Sequence, residues 1–389
     1  MTLGLPLATT TWDDHEFQAL DRVIKSGKFS MGAEVKSFES EFAAYLGVRH
    51  CVMTNSGSSA NLLAVAALFY LQQNPLKRGD EVIVPAVSWS TTFFPLQQYG
   101  LKLKFIDISD QTLNLDLEQV KDAIGPRTRM IFGVNLLGNP IDYIELRKLV
   151  SDQNIYILED NCESMGATLL GQQAGTFGLA GTFSSFFSHH ISTMEGGMVA
   201  TNNDELFHIM LSLRAHGWTR NLPTENLVCS KSEDAFTESF SFVLPGYNLR
   251  PLEMSGALGR EQLLKLPEIV EGRRRNALVF EALFGDHECL ITQKEVGESS
   301  WFGFALILKK DRLPRDKVLR KLGELNIETR SVVGGNFTRN PVMDFFDFSI
   351  HGELRNADLV HNCGFFVGNH HFDITEQLEM LSDALESAL

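Results

Sequence analysis

The stretch CVMTNSGSSANLLAVAALFYL, residues 51–71, passes from an apolar β-rich run through small hydroxylated residues into an apolar helical run. That strand–turn–helix step recurs along the first half of the chain. EVIVP (81–85), KLKFIDI (102–108), MIFGVN (130–135), IYILED (155–160), TFSSFF (182–187) and GMVAT (197–201) read as further strands, beside CVMT (51–54). Most are continuous apolar runs, as expected of strands covered on both faces. Helical patterns lie between them, such as EVKSFESEFAAYLG (34–47), where Phe38, Phe42 and Tyr45 share one face. The alternation predicts an α/β sandwich around a mostly parallel sheet over residues 1–250. From residue 251 the character changes. A long helical pattern (251–284), strand-like WFGFALIL (301–308), helical RDKVLRKLGELN (315–326) and a terminal helix (374–388) predict a smaller α+β domain over 251–389.

The 389 residues are 44% apolar and 21% charged, with a formal net charge of −15. That average field repels nucleic acid, but leaves room for an anionic small ligand in a locally positive pocket. The start, MTLGLPLATTTWDDHEF, lacks a basic segment followed by an apolar one, and no apolar run is long enough to span a bilayer. The five cysteines (51, 162, 229, 289, 363) form no C-x-x-C pair, so neither a metal site nor a disulfide framework is expected. A cytoplasmic location, with no membrane partner, is the expectation.

Chemistry-bearing residues fall at the ends of the predicted strands. Gly57, Ser58 and Ser59 open a helix, where backbone N–H groups can hold a phosphate, although with Ser56 they equally make an ordinary N-cap. Trp89, just past EVIVP, can stack on a flat ring or serve as core. Asp160 closes IYILED, with Glu163 three residues on. A carboxylate there suits a protonated pyridine nitrogen, or a helix cap. FSSFFSHHISTMEGGMVAT (183–201) carries two serines and the pair His189–His190, and LPGYNLRP (244–251) carries Asn248 and Arg250.

In this order and spacing the segments resemble the sugar-modifying branch of the fold-type-I pyridoxal phosphate enzymes, the DegT/DnrJ/EryC1/StrS family. The resemblance runs from FSMGAEVKSFESEFAAYLG through SGSSAN, EDNCESMGA and SFFSHH to GYNLRP. It implies an aspartate-aminotransferase-like three-layer sandwich, pyridoxal 5′-phosphate (PLP) and its amine form (PMP) as cofactor, and a homodimer with shared active sites. By the same resemblance Gly57, Ser58, Ser59 and Ser185 bind the phosphate, and Trp89 stacks on the ring. Asp160 meets the pyridinium, and Asn248 reaches the phosphate of the neighbouring subunit. The family's lysine position falls on His190.

Two departures narrow the resemblance. Glu163 replaces the family's usual glutamine and His190 its lysine, as in the subgroup of PLP-dependent 3-dehydratases of nucleotide-linked keto sugars. PAVSWSTTFFPLQQYG, TMEGG, RAHGWTRNLP and FVLPGYNLRPLEMSGA carry the same likeness. A lysine amine can bond to the cofactor's aldehyde, whereas imidazole can only move protons. No lysine occurs between Lys148 and Lys231 to cover the loss. The implied reaction uses glutamate to form PMP and removes the C3 hydroxyl of a GDP-linked keto sugar, with His190 as base. It yields a 3,6-dideoxy-4-keto sugar, ammonia and 2-oxoglutarate, and the resemblance points to colitose of a lipopolysaccharide O-antigen as end product. Either histidine can equally be a satisfied structural group; position favours His190 over His189. A related subgroup holds an iron–sulfur cluster, which needs closely spaced thiolates. The scattered cysteines predict no cluster and no reductase partner. Arg220, Arg250 and Arg330 are candidates for the diphosphate, His216 for the sugar or cofactor rim, and Phe29 and Met31 for the sugar pocket. Each also reads as an ion pair, a surface group or packing. Two rivals stand beside this reading: a sugar 4-aminotransferase, which fits everything but His190, and a PLP-binding regulator without turnover.

Overall fold

A computed structural model describes residues 4–151, 153–309 and 314–387. Among the described residues, nine strands come from the first half of the chain: β1 (His50–Thr54), β2 (Glu81–Pro85), β3 (Lys102–Ile106), β4 (Thr128–Val134), β5 (Tyr156–Asp160), a small hairpin of β6 (Thr168–Leu169) and β7 (Gln172–Gln173), β8 (Ala180–Ser184) and β9 (Gly197–Thr201). The second half adds β10 (Leu290–Thr292), β11 (Gly303–Leu308), β12 (Thr329–Arg330), β13 (Phe348–Ile350) and β14 (Gly364–Gly368).

The larger sheet runs β1-β9-β8-β5-β4-β2-β3-β13, parallel throughout except for β9, which is antiparallel to both neighbours. Both faces are covered. Val82 and Val84 of β2 join one apolar cluster and Ile83 joins another, so successive side chains bury on opposite sides. Helices α2 (Ala33–Leu46), α3 (Gly57–Ala67) and α4 (Ser90–Gln98) belong to these outer layers, and α1 (Asp14–Ser26) packs outside them on the long helix Glu253–Phe284. The fold is therefore the α/β sandwich expected, with β2 and β9 matching their predicted residues. TFSSFF does not extend to residue 187: β8 stops at Ser184. That early end matters for the site.

The smaller sheet, β10-β11-β14-β12, is antiparallel and packs its own core, with Phe280 stacked on Phe304 at 4.2 Å. The long helix Glu253–Phe284 links the two halves: its first turns pack on α1 and α2, and its last carry Phe280 and Phe284 into the second core. Segments cross the expected boundary at 250 in both directions. β13 pairs with β3 and completes the larger sheet, while Leu5 bridges to Ile327 and lies in the second core. The terminal helix covers Thr375–Glu386; residue 388 of the expected helix lies outside the described residues. No helix among the described residues is long and apolar enough to cross a membrane.

Candidate active site

The parallel register brings the C-terminal ends of β2, β4, β5 and β8 to one edge of the sheet. Val134 pairs with Asp160, Asp160 with Thr182, and Ser184 with Gly197. This is where open α/β sheets bind ligands. Helix α3 starts at the same edge. Ser56 caps it, its Oγ accepting from Ser59 N at 3.1 Å, which leaves the N–H groups of Gly57 and Ser58 without acceptors inside the helix. The cap of the sequence reading is Ser56, and the first turn still presents N–H donors of the kind that suit an anion. Gly57 permits the close fit, because a Cβ there would lie 2.7 Å from Ser184 Cβ.

Asp160 sits beside this cradle, almost fully buried. Its Oδ2 accepts from Asn61 Nδ2 at 2.8 Å and Thr92 Oγ1 at 2.7 Å, and its Oδ1 from Cys162 N at 3.2 Å. Thr182 in turn donates to Asn61 Oδ1 at 2.6 Å, so the amide can only present its nitrogen to the carboxylate. Among the described residues Asp160 has no cationic partner. A buried carboxylate fixed by neutral donors is an incomplete pair, and a protonated ring nitrogen completes it. Sequence reasoning passed over Asn61, Thr92 and Thr182, because only the tertiary fold brings two neutral side chains onto the carboxylate and a third behind the amide.

Trp89 is 58% exposed, at the start of α4 and three residues from Thr92. An indole this open is not core, which resolves the alternative left by the sequence. Phosphate donors, an unpaired carboxylate and an exposed aromatic face fit a pyridoxal-type cofactor. A Trp89→Ala protein is expected to bind PLP about ten-fold more weakly, read by absorbance titration, as for loss of one stacked ring. Unchanged affinity would show that the indole does not touch the cofactor.

Two of the expected residues have hydrogen-bond partners of their own and are fully buried. Thr182 and Ser184 point to the face of Asn61 and Gly57, so Ser185 points away. Its hydroxyl is paired with Thr193 Oγ1 at 2.6 Å, fully buried. Ser184, not Ser185, borders the phosphate cradle. His190 is likewise fully buried, its Nε2 bonded to the Ser300 carbonyl at 3.0 Å, so it has no surface to offer a bound molecule. His189 is half-buried, and its Nδ1 has no partner. Burial, then the Arg273 charge, push the His189 imidazole down to about 4, so it is unprotonated at neutral pH. Glu163 accepts from Leu137 N at 3.0 Å, and burial pushes its carboxyl up to about 7.

The second group of candidates forms a separate cluster around Trp218, a residue passed over although it lies in the quoted RAHGWTRNLP. The Arg220 guanidinium stands 3.7 Å over the indole ring, that of Arg250 5.7 Å, and the His216 ring 4.5 Å away. Arg250 Nε also donates to Asn248 Oδ1 at 2.9 Å. Asn248 is exposed. Phe240 and Phe242 pack on the same indole and are themselves exposed. Arg330 is not part of this cluster: it is exposed on β12 in the smaller sheet. Phe29 is exposed, and Met31 lines a cavity of about 400 Å³ with Lys36, Arg49 and Arg214, whose lining does not include Asp160.

Residues 10–377 match the DegT/DnrJ/EryC1/StrS aminotransferase family. The chain is 56% identical over 387 residues to GDP-4-keto-6-deoxy-D-mannose 3-dehydratase of Yersinia pseudotuberculosis, covering 99% of this chain and 98% of that protein. A solved structure of GDP-4-keto-6-deoxymannose-3-dehydratase with a trapped PLP–glutamate geminal diamine superposes with a TM-score of 0.97. It is 52% identical and covers 98% of this chain and 100% of that one. A solved variant of that enzyme carries asparagine for a serine and lysine for the histidine directly after it. It gives a TM-score of 0.96 at 52% identity, covering 97% of this chain and 100% of that one.

Proposed function

The chain belongs to the DegT/DnrJ/EryC1/StrS aminotransferase family, and from that premise we propose that it is a PLP-dependent 3-dehydratase of GDP-4-keto-6-deoxy-D-mannose, with glutamate as second substrate. One observation carries the reading: the loop over the cofactor cradle has histidine and no lysine, and no lysine occurs anywhere from 149 to 230. The overall change balances without an outside reductant. The sugar loses one oxygen at C3, and glutamate leaves as 2-oxoglutarate and ammonia, carrying that oxygen. No iron–sulfur reductase is needed.

When bound, the cofactor supplies a primary amine for the sugar ketone and an aromatic ring that can hold an electron pair. The chain's own residues do the rest. Gly57, Ser58, Ser59 and Ser184 hold the phosphate, Trp89 covers the ring, and Asp160 holds the ring nitrogen protonated. The Ser–His dipeptide altered in the solved variant occurs once in this chain, at Ser188–His189. We assign the base to His189 on that likeness and on its ring being only half-buried, where that of His190 is fully buried. His189 takes a proton beside the ring and returns one to the departing C3 oxygen. Glu163, poised near neutrality, can hold or release a proton at the cofactor's edge.

A homodimer belongs to the same proposal. Phe236, Phe240 and Phe242 are 86%, 68% and 56% exposed beside the Trp218 cluster, an apolar and cationic surface suited to closing a partner's site. Asn248, Arg220, Arg250 and His216 then face the partner's nucleotide sugar and cofactor phosphate. Phe29, Met31 and Arg330 stay candidates for the sugar and nucleotide contacts.

The test is a mass spectrum of the sugar after incubation with PLP, glutamate and GDP-4-keto-6-deoxymannose. The expected product has lost one oxygen and gained no nitrogen, with ammonia released in equal amount. A sugar carrying an amine at C4 would identify an aminotransferase, and no turnover with cofactor bound would favour a regulator.

A further inference from the structure

His190, displaced from the role of base, has a buried arrangement of its own. Its Nε2 lies 3.0 Å from the Ser300 carbonyl, and a carbonyl only accepts, so Nε2 carries the proton and Nδ1 is bare. Ser300 belongs to the short segment Ser299–Phe302 that leads into β11. This segment is laid across the loop after β4 by two backbone bonds, Ser300 N to Gly138 O and Phe302 N to Leu137 O, both 2.9 Å. There is no slack in the contact: Gly138 has φ +101°, and a Cβ there would lie 2.3 Å from Trp301 N. Leu137 N, on the same loop, donates to Glu163 Oε2. A continuous path of hydrogen bonds thus joins the residue next to the base to the carboxyl three residues beyond Asp160.

We propose that His190 is a positioning residue for the dehydration, which ties the base loop through Ser300 to the Leu137–Gly138 loop and so fixes His189 and Glu163 relative to one another. This rests on the assignment of His189 as the base. A rigid ring with its donor three bonds from Cβ spans from the loop to the carbonyl. Glutamine places an amide nitrogen at the same bond distance, and asparagine places it one bond short. The surroundings keep the ring a neutral donor: burial and the nearby Arg273 both disfavour a second proton.

The experiment compares His190→Gln, His190→Asn and His190→Leu in the holoenzyme. His190→Gln is expected to keep kcat within about three-fold. His190→Asn and His190→Leu are expected to lose about 10- to 100-fold in kcat, as for a small misplacement of a reacting group, with the sugar KM and PLP affinity unchanged. Hydrogen exchange at 137–138 and 299–302 should rise in the asparagine and leucine proteins and not in the glutamine one. If the leucine protein does not fold, the glutamine–asparagine pair still decides. Equal and complete loss in both, with PLP bound, would make the ring itself a proton carrier and overturn the proposal. Wild-type kcat in both would overturn it in the other direction. Failure of the base assignment is read separately, as activity retained by a His189 variant.

Discussion

A His189→Asn protein is expected to bind PLP as the wild type does and to lose on the order of 10³-fold in kcat, within the range for removal of a positioned acid–base group. Asparagine keeps a planar polar group of similar reach but has no lone pair able to take a proton at neutral pH. The cradle at Gly57, the Asp160 carboxylate and Trp89 are untouched, so cofactor absorbance should not change. The base is also marked by pH. Because burial and Arg273 hold the His189 pKa down to about 4, the wild-type rate limb of the proposed base is expected near pH 4, where an unperturbed histidine would place it at ~6.5. Activity falls as pH drops through that value, since the protonated ring cannot accept. Ammonia release measured across pH checks both points. Activity within about ten-fold of wild type in the asparagine protein would mean that another group moves the proton.

The second large effect is at Asp160. Asp160→Asn should reduce kcat by about 10²–10³-fold, the usual cost of removing one preorganised electrostatic partner. The substitution preserves shape, and the new side chain can still accept from Asn61 Nδ2 or Thr92 Oγ1. What it removes is the charge proposed to keep the ring nitrogen protonated, and with it the ring's capacity to hold an electron pair. The two readouts should move apart. The cofactor-free protein should melt no lower than wild type, because a buried carboxylate without a cation is costly to the empty fold. Bound PLP should show an altered spectrum. A lower melting temperature with unchanged kcat would make Asp160 a structural residue.

The sequence and the structure part company at one place that matters. Continuous apolar strands signal burial on both faces, so they specify existence and direction but not which residue points where. EVIVP and GMVAT could be bounded by the turns around them. TFSSFF runs on into two phenylalanines that lie beyond the strand, and nothing local shows that pairing stops at Ser184. A slip of one residue exchanges the faces of a strand, and Ser185 lies just past the point where β8 stops, so the local pattern does not fix its direction. The turn at Gly57, the acid at Asp160 and the aromatic at Trp89 were legible because each stands at a strand end marked by small or polar residues. The Asn61–Thr92–Thr182 support was not, since its members come from three separate elements. Nor was β13, only three residues long and at the outer edge of the sheet, which no periodicity distinguishes from loop.

That short strand has a consequence for the order in which the molecule can be made. β3 is synthesised early, and until residue 348 has left the ribosome its outer edge carries a row of backbone groups with no strand to pair them. A nascent or proteolysed chain ending at 250 would hold nearly the entire cofactor cradle and still present that open edge to other molecules. Closing it requires one of the longest-range pairings in the chain, the kind of contact that forms late and slowly. The second half therefore acts on the first as a late seal against self-association.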